Sequence, residues 1–292
     1  MSDSKAYKLD TPGAILHYDI RSNDSTTEPP ILLFGSPMPA SGFGALAGYF
    51  TDRTVVTYDP RGSERSKRTD GAANTSPDEH VDDLHRLVLA LDAGPVDMFA
   101  TSGGAVNALA FAASYPQQVR ILVAHEPPTA QVLPDCETIA AVAADIRETY
   151  DRSGYGHAMA KFIAIASYQG PVPADYLDQP APDPAAFGLP AIDDGSRDDP
   201  LVGLNMPSCI VHEHDFAALR AAPARIVLGR GEDTGESLTA RAATAFAERL
   251  GTELAMFPGG HTGFCNVPGM PGKPEAFAKT LRDALAGMAS RG

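Results

Sequence analysis

Short apolar runs punctuated by Gly and Pro recur along the first part of the chain. Ile31-Leu32-Leu33-Phe34 ends at Gly35, and Val55-Val56-Thr57-Tyr58 runs into Asp59-Pro60-Arg61-Gly62. Val96 to Ala100 leads into Thr101-Ser102-Gly103-Gly104, and Ile121-Leu122-Val123-Ala124 follows Pro116. Runs of this length, bounded by turn residues, predict buried strands. The stretch Tyr7 to Asp19 alternates weakly around Pro12-Gly13 and predicts an early antiparallel hairpin, with 22–30 as a polar loop. Between strands the period changes. Ser76-Pro77-Asp78-Glu79 carries an N-cap Ser, a Pro at the first helical position and a Glu in the capping-box place. Val81, Leu84, Leu87, Val88 and Leu91 then fall on one helical face, and the helix stops near Gly94. Strands alternating with helices predict an α/β fold with a mostly parallel central sheet and helices on both faces.

The alternation breaks after the strand at 121–124. Residues 126–222 are rich in Pro, Asp and Gly, with helical patches only at 137–150 and 156–167 and a Pro- and Asp-biased stretch at 171–200. The α/β pattern resumes at Arg225-Ile226-Val227-Leu228. It continues through a helix from Leu238 to Leu250 closed by Gly251, a strand from Glu253 to Phe257 and a last helix from Pro274 to Met288. The organisation expected is a core of 1–125 and 223–292 and an inserted cap, 126–222, over the C-terminal edge of the sheet. Tyr150, Tyr155, Phe162, Tyr168, Tyr176 and Phe187 supply that cap with apolar surface for its own packing or for a pocket wall.

Composition narrows the choice of partner. The chain has 292 residues, 43% of them hydrophobic, which is ample for one deep-cored domain with an insertion. With 23 Lys and Arg against 37 Asp and Glu the net charge is −14, a surface that repels phosphate backbones and anionic lipid. A small-molecule substrate is therefore the expected partner, with no nucleic acid and no membrane; a homodimer is left open. The start, Met1 to Lys5, is polar, and no run of 18 apolar residues occurs, so a cytoplasmic location is expected. Cys136, Cys209 and Cys265 are odd in number and far apart, which points to reduced thiols. His212-Glu213-His214 lacks further ligands at a familiar spacing, so neither a metal nor a cofactor is expected.

The chemistry centres on Ser102, at a sharp strand-to-helix turn flanked by the small residues Ala100 and Gly104. A Ser hydroxyl needs a base, and the base needs an orienting group. His261 lies in the Gly-rich loop Phe257-Pro258-Gly259-Gly260-His261-Thr262-Gly263-Phe264, just after the last predicted strand. The loop after the preceding strand offers Asp233 as first choice for the acid and Glu232 as second. For an anion hole, the N–H of Gly103 sits directly after the Ser at a helix N-terminus. Pro37 has no N–H, so the second donor falls to Ser36, with Met38 behind it. Asp59 and Arg61 read as a structural turn rather than a substrate clamp.

The Ser, Asp, His order, the Gly35-Ser36-Pro37 loop, Asp59-Pro60-Arg61-Gly62 with Ser63 and Ser66, the turn at Ser102, and Pro258-Gly259-Gly260-His261 together resemble the α/β-hydrolase fold superfamily. The resemblance spans nearly the whole chain except the cap. More narrowly, His125-Glu126-Pro127-Pro128 is similar to a stretch found in actinobacterial α/β-hydrolases. Two departures stand out: Phe34 where a His is common, and Ala100 for the first Gly of the Ser turn. The resemblance adds Glu126 as a third candidate acid, because some relatives place the acid after that strand. It implies a serine hydrolase that cleaves a small or medium, largely apolar ester or lactone through an acyl-enzyme. The alternatives are a cofactor-free perhydrolase or peroxidase of the same fold, and a hydrolase-like ligand-binding protein. Dehalogenase and epoxide hydrolase chemistry both need an Asp where Ser102 stands, and the chain has no Trp for a halide site.

Overall fold

Two strands open the chain: β1 (Lys5–Thr11) and β2 (Ala14–Arg21) pair antiparallel across Pro12-Gly13. There follow β3 (Ile31–Ser36), the short helix α1 (Gly44–Ala47), β4 (Val55–Asp59), a two-residue strand β5 (Lys67–Arg68), and α2 (Pro77–Leu91). The next units are β6 (Val96–Ser102), α3 (Gly103–Ser114) and β7 (Val119–His125). A long helical stretch, α4 (Cys136–Ser167), then α5 (Met206–Cys209) and α6 (Phe216–Ala221), separate β7 from β8 (Arg225–Gly231). The chain ends with α7 (Leu238–Leu250), β9 (Glu253–Phe257) and α8 (Pro274–Ala286). This computed structural model describes residues 4–267 and 269–287. Met288, the predicted end of the last helix, and Met1 to Asp3 lie outside the described residues.

The main sheet has the order β1-β2-β4-β3-β6-β7-β8-β9, with β5 paired to β2. From β4 to β9 every neighbouring pair is parallel. Side chains leave a strand alternately to its two faces, and here both faces are buried. Leu32, Phe34, Met98, Ala100, Leu122 and Leu228 pack on one side beneath α2, α3, α6 and α7. Ile31, Leu33, Phe99, Val123, Val227 and Phe257 pack on the other with α1 and α8. Continuous apolar runs, rather than alternating ones, are what a doubly covered parallel strand requires.

Local signals explain the helix ends. In α2 the Ser76 hydroxyl accepts from Glu79 N and the Glu79 carboxylate accepts from Ser76 N, closing a capping box. Arg61 is buried and held by bidentate contact with Asp83 and by Glu79, so the Asp59–Gly62 turn is indeed structural. The two helical patches expected at 137–150 and 156–167 form one stretch broken at Gly154, whose φ of 79° no helix accommodates.

β3 and β4 lie to one side of β6, and β7 to β9 to the other. The chain thus changes direction at β6, and a crevice opens at the carboxyl ends of β3, β6 and β7, where parallel sheets place ligands. Residues of the segment between β7 and β8 line a cavity at that edge together with Ser36, Ser102 and Gly103. The ion pair of Asp135 and Arg241, shortest contact 2.7 Å, ties the start of α4 to α7. At the other end of the segment, Phe216 and Leu219 of α6 join the core on the α3 side of the sheet. Among the described residues no helix is long and apolar enough to cross a membrane.

Candidate active site

Ser102 is the last residue of β6 and caps α3, with φ 55° and ψ −133°. A non-glycine residue at positive φ is strained and persists only where its surroundings fix it. They do so here by contact. A Cβ on Gly104 would sit 2.7 Å from backbone atoms of Gly35, and one on Gly103 would sit 2.6 Å from the Ser36 carbonyl oxygen. Strand β3 and helix α3 therefore touch, and only glycine fits at 103 and 104. Ala100, buried opposite Phe34 in the β3–β6 register, is accommodated without such a conflict.

His261 follows β9 in the expected loop. Its Nδ1 lies 2.6 Å from Oε2 of Glu126, so it is the third candidate, and not the first, that meets the imidazole. Glu126 is the residue after β7, with φ 48° and no solvent exposure. Its Oε1 accepts from Gly231 N at 2.8 Å, and its Oε2 also accepts from the Thr239 hydroxyl at 3.2 Å. Burial alone would raise the Glu126 pKa. The hydrogen bond to His261 and the neighbouring imidazoles prevail and bring it down to about 2. It is thus a carboxylate at any ordinary pH.

The other two acids do not reach the imidazole. The Asp233 side chain is 61% exposed and pairs with Lys273 at 3.0 Å. Glu232 is exposed as well. The reason is where the strand ends. β8 stops at Gly231, and the turn beyond it bonds back through Glu232 N to Phe257 O and Asp233 N to Gly259 O, carrying both side chains outward. Glu126 instead continues the β7 ladder through Glu126 N to Gly229 O, which keeps its side chain between the sheet edge and the His261 loop.

Ser102, His261, Gly103 and Ser36 all line one cavity of about 390 Å³. Neither the Ser102 hydroxyl nor the His261 ring nitrogen not used by Glu126 makes a hydrogen bond among the described residues. Catalytic contacts of this kind often tighten only when substrate is bound. Ser36, opposite Ser102 in the parallel register, faces the cavity. Met38, whose backbone N–H was the alternative donor, is not among the residues that line it.

The remaining walls are mostly apolar, with Ser167, Gln169, Asn205, Thr234, Ser237 and Thr239 among the polar residues on them. Ile139, Ile146 and Phe162 from α4, Met206 and Ile210 from around α5, and Leu238 from α7 line it. Of the aromatic residues noted in the insertion, only Phe162 is in this wall. Tyr150 is buried elsewhere, its hydroxyl accepting from Asp199 N, and Tyr168 packs edge-on against Tyr176. Among the described residues no Lys or Arg lines the cavity, and Asp233 is the one acidic residue that does.

Sequence reasoning missed Asn205 and Cys209, both cavity residues from the insertion. Asn205, buried between Leu204 and Met206, could have been noticed as a lone amide in an apolar stretch. Cys209 faces Gly103, yet burial pushes its thiol up to about 12, so it stays protonated. Burial similarly raises Cys265 to about 11. His125 lies beneath the site among Phe99, Phe257 and Phe277, its Nδ1 3.2 Å from the Thr101 hydroxyl. Burial lowers its pKa to about 4, so the ring is neutral. Among the described residues no group of His, Cys, Asp and Glu is arranged to hold a metal.

Comparison with known proteins fits this geometry. The family model described as alpha/beta hydrolase fold matches residues 41–164. The uncharacterized hydrolase YraK of Bacillus subtilis (strain 168) is 28% identical over 284 residues, covering 95% of this chain and 94% of that protein. The enol-lactonase of Burkholderia xenovorans LB400 superposes with a TM-score of 0.67 at 16% identity, covering 96% of this chain and all (100%) of the other. The carboxylesterase CesB (YbfK) of Bacillus subtilis gives 0.64 at 14% identity, covering 98% and 92%. A thermophilic esterase from Thermogutta terrifontis gives 0.67 at 19% identity, covering 98% and 100%.

Proposed function

The chain has the α/β-hydrolase fold, and from that premise we propose that it is a serine hydrolase cleaving small or medium, uncharged and largely apolar carboxylic esters or lactones. One observation carries the reading: a buried, ionised Glu126 holds His261 at 2.6 Å in a cavity that also contains a strained, unpartnered Ser102. The cap role of 126–222 belongs to the same proposal, supported by the wall residues that this segment contributes. That similar folds include an enol-lactonase and carboxylesterases supports the choice of bond.

The proposed reaction has two steps. Ser102 Oγ attacks the carbonyl carbon while its proton passes to Nε2 of His261. Glu126 fixes Nδ1 as the protonated nitrogen beforehand and stabilises the imidazolium that forms. The oxygen that becomes negative lies against the backbone N–H groups of Gly103 and Ser36, and the α3 dipole adds to them. The imidazolium gives its proton to the leaving alkoxide, which departs as the alcohol. Water, deprotonated by the same nitrogen, then attacks the acyl-enzyme and releases the acid and Ser102. The apolar walls give the acyl chain a dry site and no cation to pair a second charge.

Fluorophosphonate labelling followed by peptide mapping tests this, alongside a panel of p-nitrophenyl esters and lactones. Label on Ser102 and turnover that both vanish in Ser102→Ala are expected. Wild-type turnover in that variant, or an unlabelled wild type, overturns the proposal.

A further inference from the structure

We propose that Asn205 is a positioning residue that fixes the Ser36 end of β3, so that the anion hole is complete only when the 200–209 segment of the insertion is seated on the core. The inference rests on the acyl-transfer reading above.

Asn205 is 4% exposed and ends a π-helical turn, Pro200–Asn205, a wide and uncommon form that recurs at functional sites. That turn is anchored by the Asp199 carboxylate, which accepts from Leu201 N at 2.9 Å and Val202 N at 2.8 Å. The Asn205 amide nitrogen donates to Pro200 O at 2.8 Å, and this sets the direction of the side chain. Its Oδ1 therefore faces the core, where three donors from separate parts of the chain converge. The Ser36 hydroxyl lies at 2.8 Å, Nε2 of His80 at 2.8 Å and the Thr75 hydroxyl at 3.1 Å.

Each of these groups is buried, so water does not substitute for a lost partner. Thr75 has a single hydroxyl proton and also lies 3.2 Å from Leu204 O, which leaves Ser36 and His80 as the firm donors. An amide oxygen only accepts, so the His80 ring carries its proton on Nε2. Nδ1 of His80 is buried and has no hydrogen-bond acceptor among the described residues, as fits an unprotonated nitrogen. Burial holds His80 below its ordinary pKa and so keeps it neutral.

Ser36 is where this network meets the reaction. Its carbonyl oxygen would be 2.6 Å from a Cβ on Gly103, so the backbone of Ser36 touches the turn that carries Ser102. The Ser36 hydroxyl is bonded to Asn205 while its backbone N–H is the second anion-hole donor. Letting go of the hydroxyl frees the strand end to move relative to the oxyanion. A donor displaced by a fraction of an ångström stabilises the transition state less while substrate binding in the apolar walls continues.

The experiment is a double-mutant cycle on the full chain with a p-nitrophenyl ester. Asn205→Leu removes the acceptor, and Ser36→Ala removes the side-chain donor but leaves the backbone N–H. We expect Asn205→Leu to lower kcat roughly 10- to 100-fold with KM within about threefold. Ser36→Ala combined with Asn205→Leu is no slower than the slower single variant. His80→Leu, at a residue outside the cavity wall, lowers kcat in the same sense, and His80→Gln restores it. It also serves if Asn205→Leu does not fold. Wild-type kcat in folded Asn205→Leu or His80→Leu overturns the proposal, as do losses that multiply in the double variant. An unlabelled Ser102 in the wild type overturns the acyl-transfer reading and this one with it, whereas normal labelling with unchanged variants overturns this one alone.

Discussion

Glu126 Oε2 and His261 Nδ1 stand 2.6 Å apart although 135 residues separate them in the chain. Parallel pairing of β7 with β8, and of β8 with β9, brings the ends of their strands to one edge, so the pair is a product of sheet order. It predicts a sharp asymmetry between carboxylates. Glu126→Gln leaves the shape but removes the charge that selects the His261 tautomer, and kcat should fall roughly 10³-fold or more. Asp233→Asn should stay within about threefold of wild type, since its partner is Lys273 on the surface. Esterase assays of both purified variants decide the matter; equal losses would return the assignment to Asp233.

Acid stability should fall in two separable windows. Unfolded His125 binds a proton below its ordinary 6.5, but the folded chain holds it neutral down to about 4. Between those values the unfolded state carries the extra proton, so stability declines as pH falls, by about 1.4 kcal/mol per pH unit for this one group. Glu126 acts lower: its depressed pKa gives stability that is full above its ordinary 4.5 and is lost as pH falls toward about 2. Urea titrations at several pH values should therefore show a slope shallower by about one proton between pH 6.5 and 4 in His125→Phe. Glu126→Gln should flatten only the lower window. An unchanged slope in His125→Phe would show that the ring is not held neutral.

Gly104→Ala should damage both fold and turnover. The added methyl meets backbone atoms of Gly35 at 2.7 Å, and backbone has little room to yield. A loss of about 1–3 kcal/mol is expected, together with a drop in kcat as β3 and α3 part. Gly44→Ala is the matched control, because a Cβ there meets nothing within 4 Å. Urea midpoints compared with kcat for the two variants provide the check.

A carboxylate on the acyl chain should be rejected. Among the described residues the cavity wall has no Lys or Arg to pair a second charge. Burying an unpaired charge there is costly enough that kcat/KM for phenyl butyrate should exceed that for monophenyl succinate by roughly 10²-fold. Comparable values would mean that a cation reaches the bound acyl group.

Much of this was legible along the chain because it is local. The apolar runs at Ile31, Val55, Val96 and Ile121 each became a buried strand, and Ser76, Pro77 and Glu79 set the start of α2. That Ser102 and His261 come to one cavity was legible from their strand-end positions. The carboxylate that meets His261 was not, because a charged loop after β8 and a charged residue after β7 look alike until the turn beyond Gly231 directs Asp233 outward. Asn205 was hidden for a similar reason: its partners Ser36, Thr75 and His80 lie 125 or more residues away. The break of α4 turns on the single backbone angle of Gly154, which periodicity does not register.

The walls of the cavity come mostly from 139–210, whereas the groups proposed to react are fixed to the ends of β6, β7 and β9. On the proposed reading, reaction and selectivity are carried by different stretches of the chain, so substitutions at Ile139, Ile146 or Phe162 should change which molecule is admitted while Ser102, His261 and Glu126 keep their places.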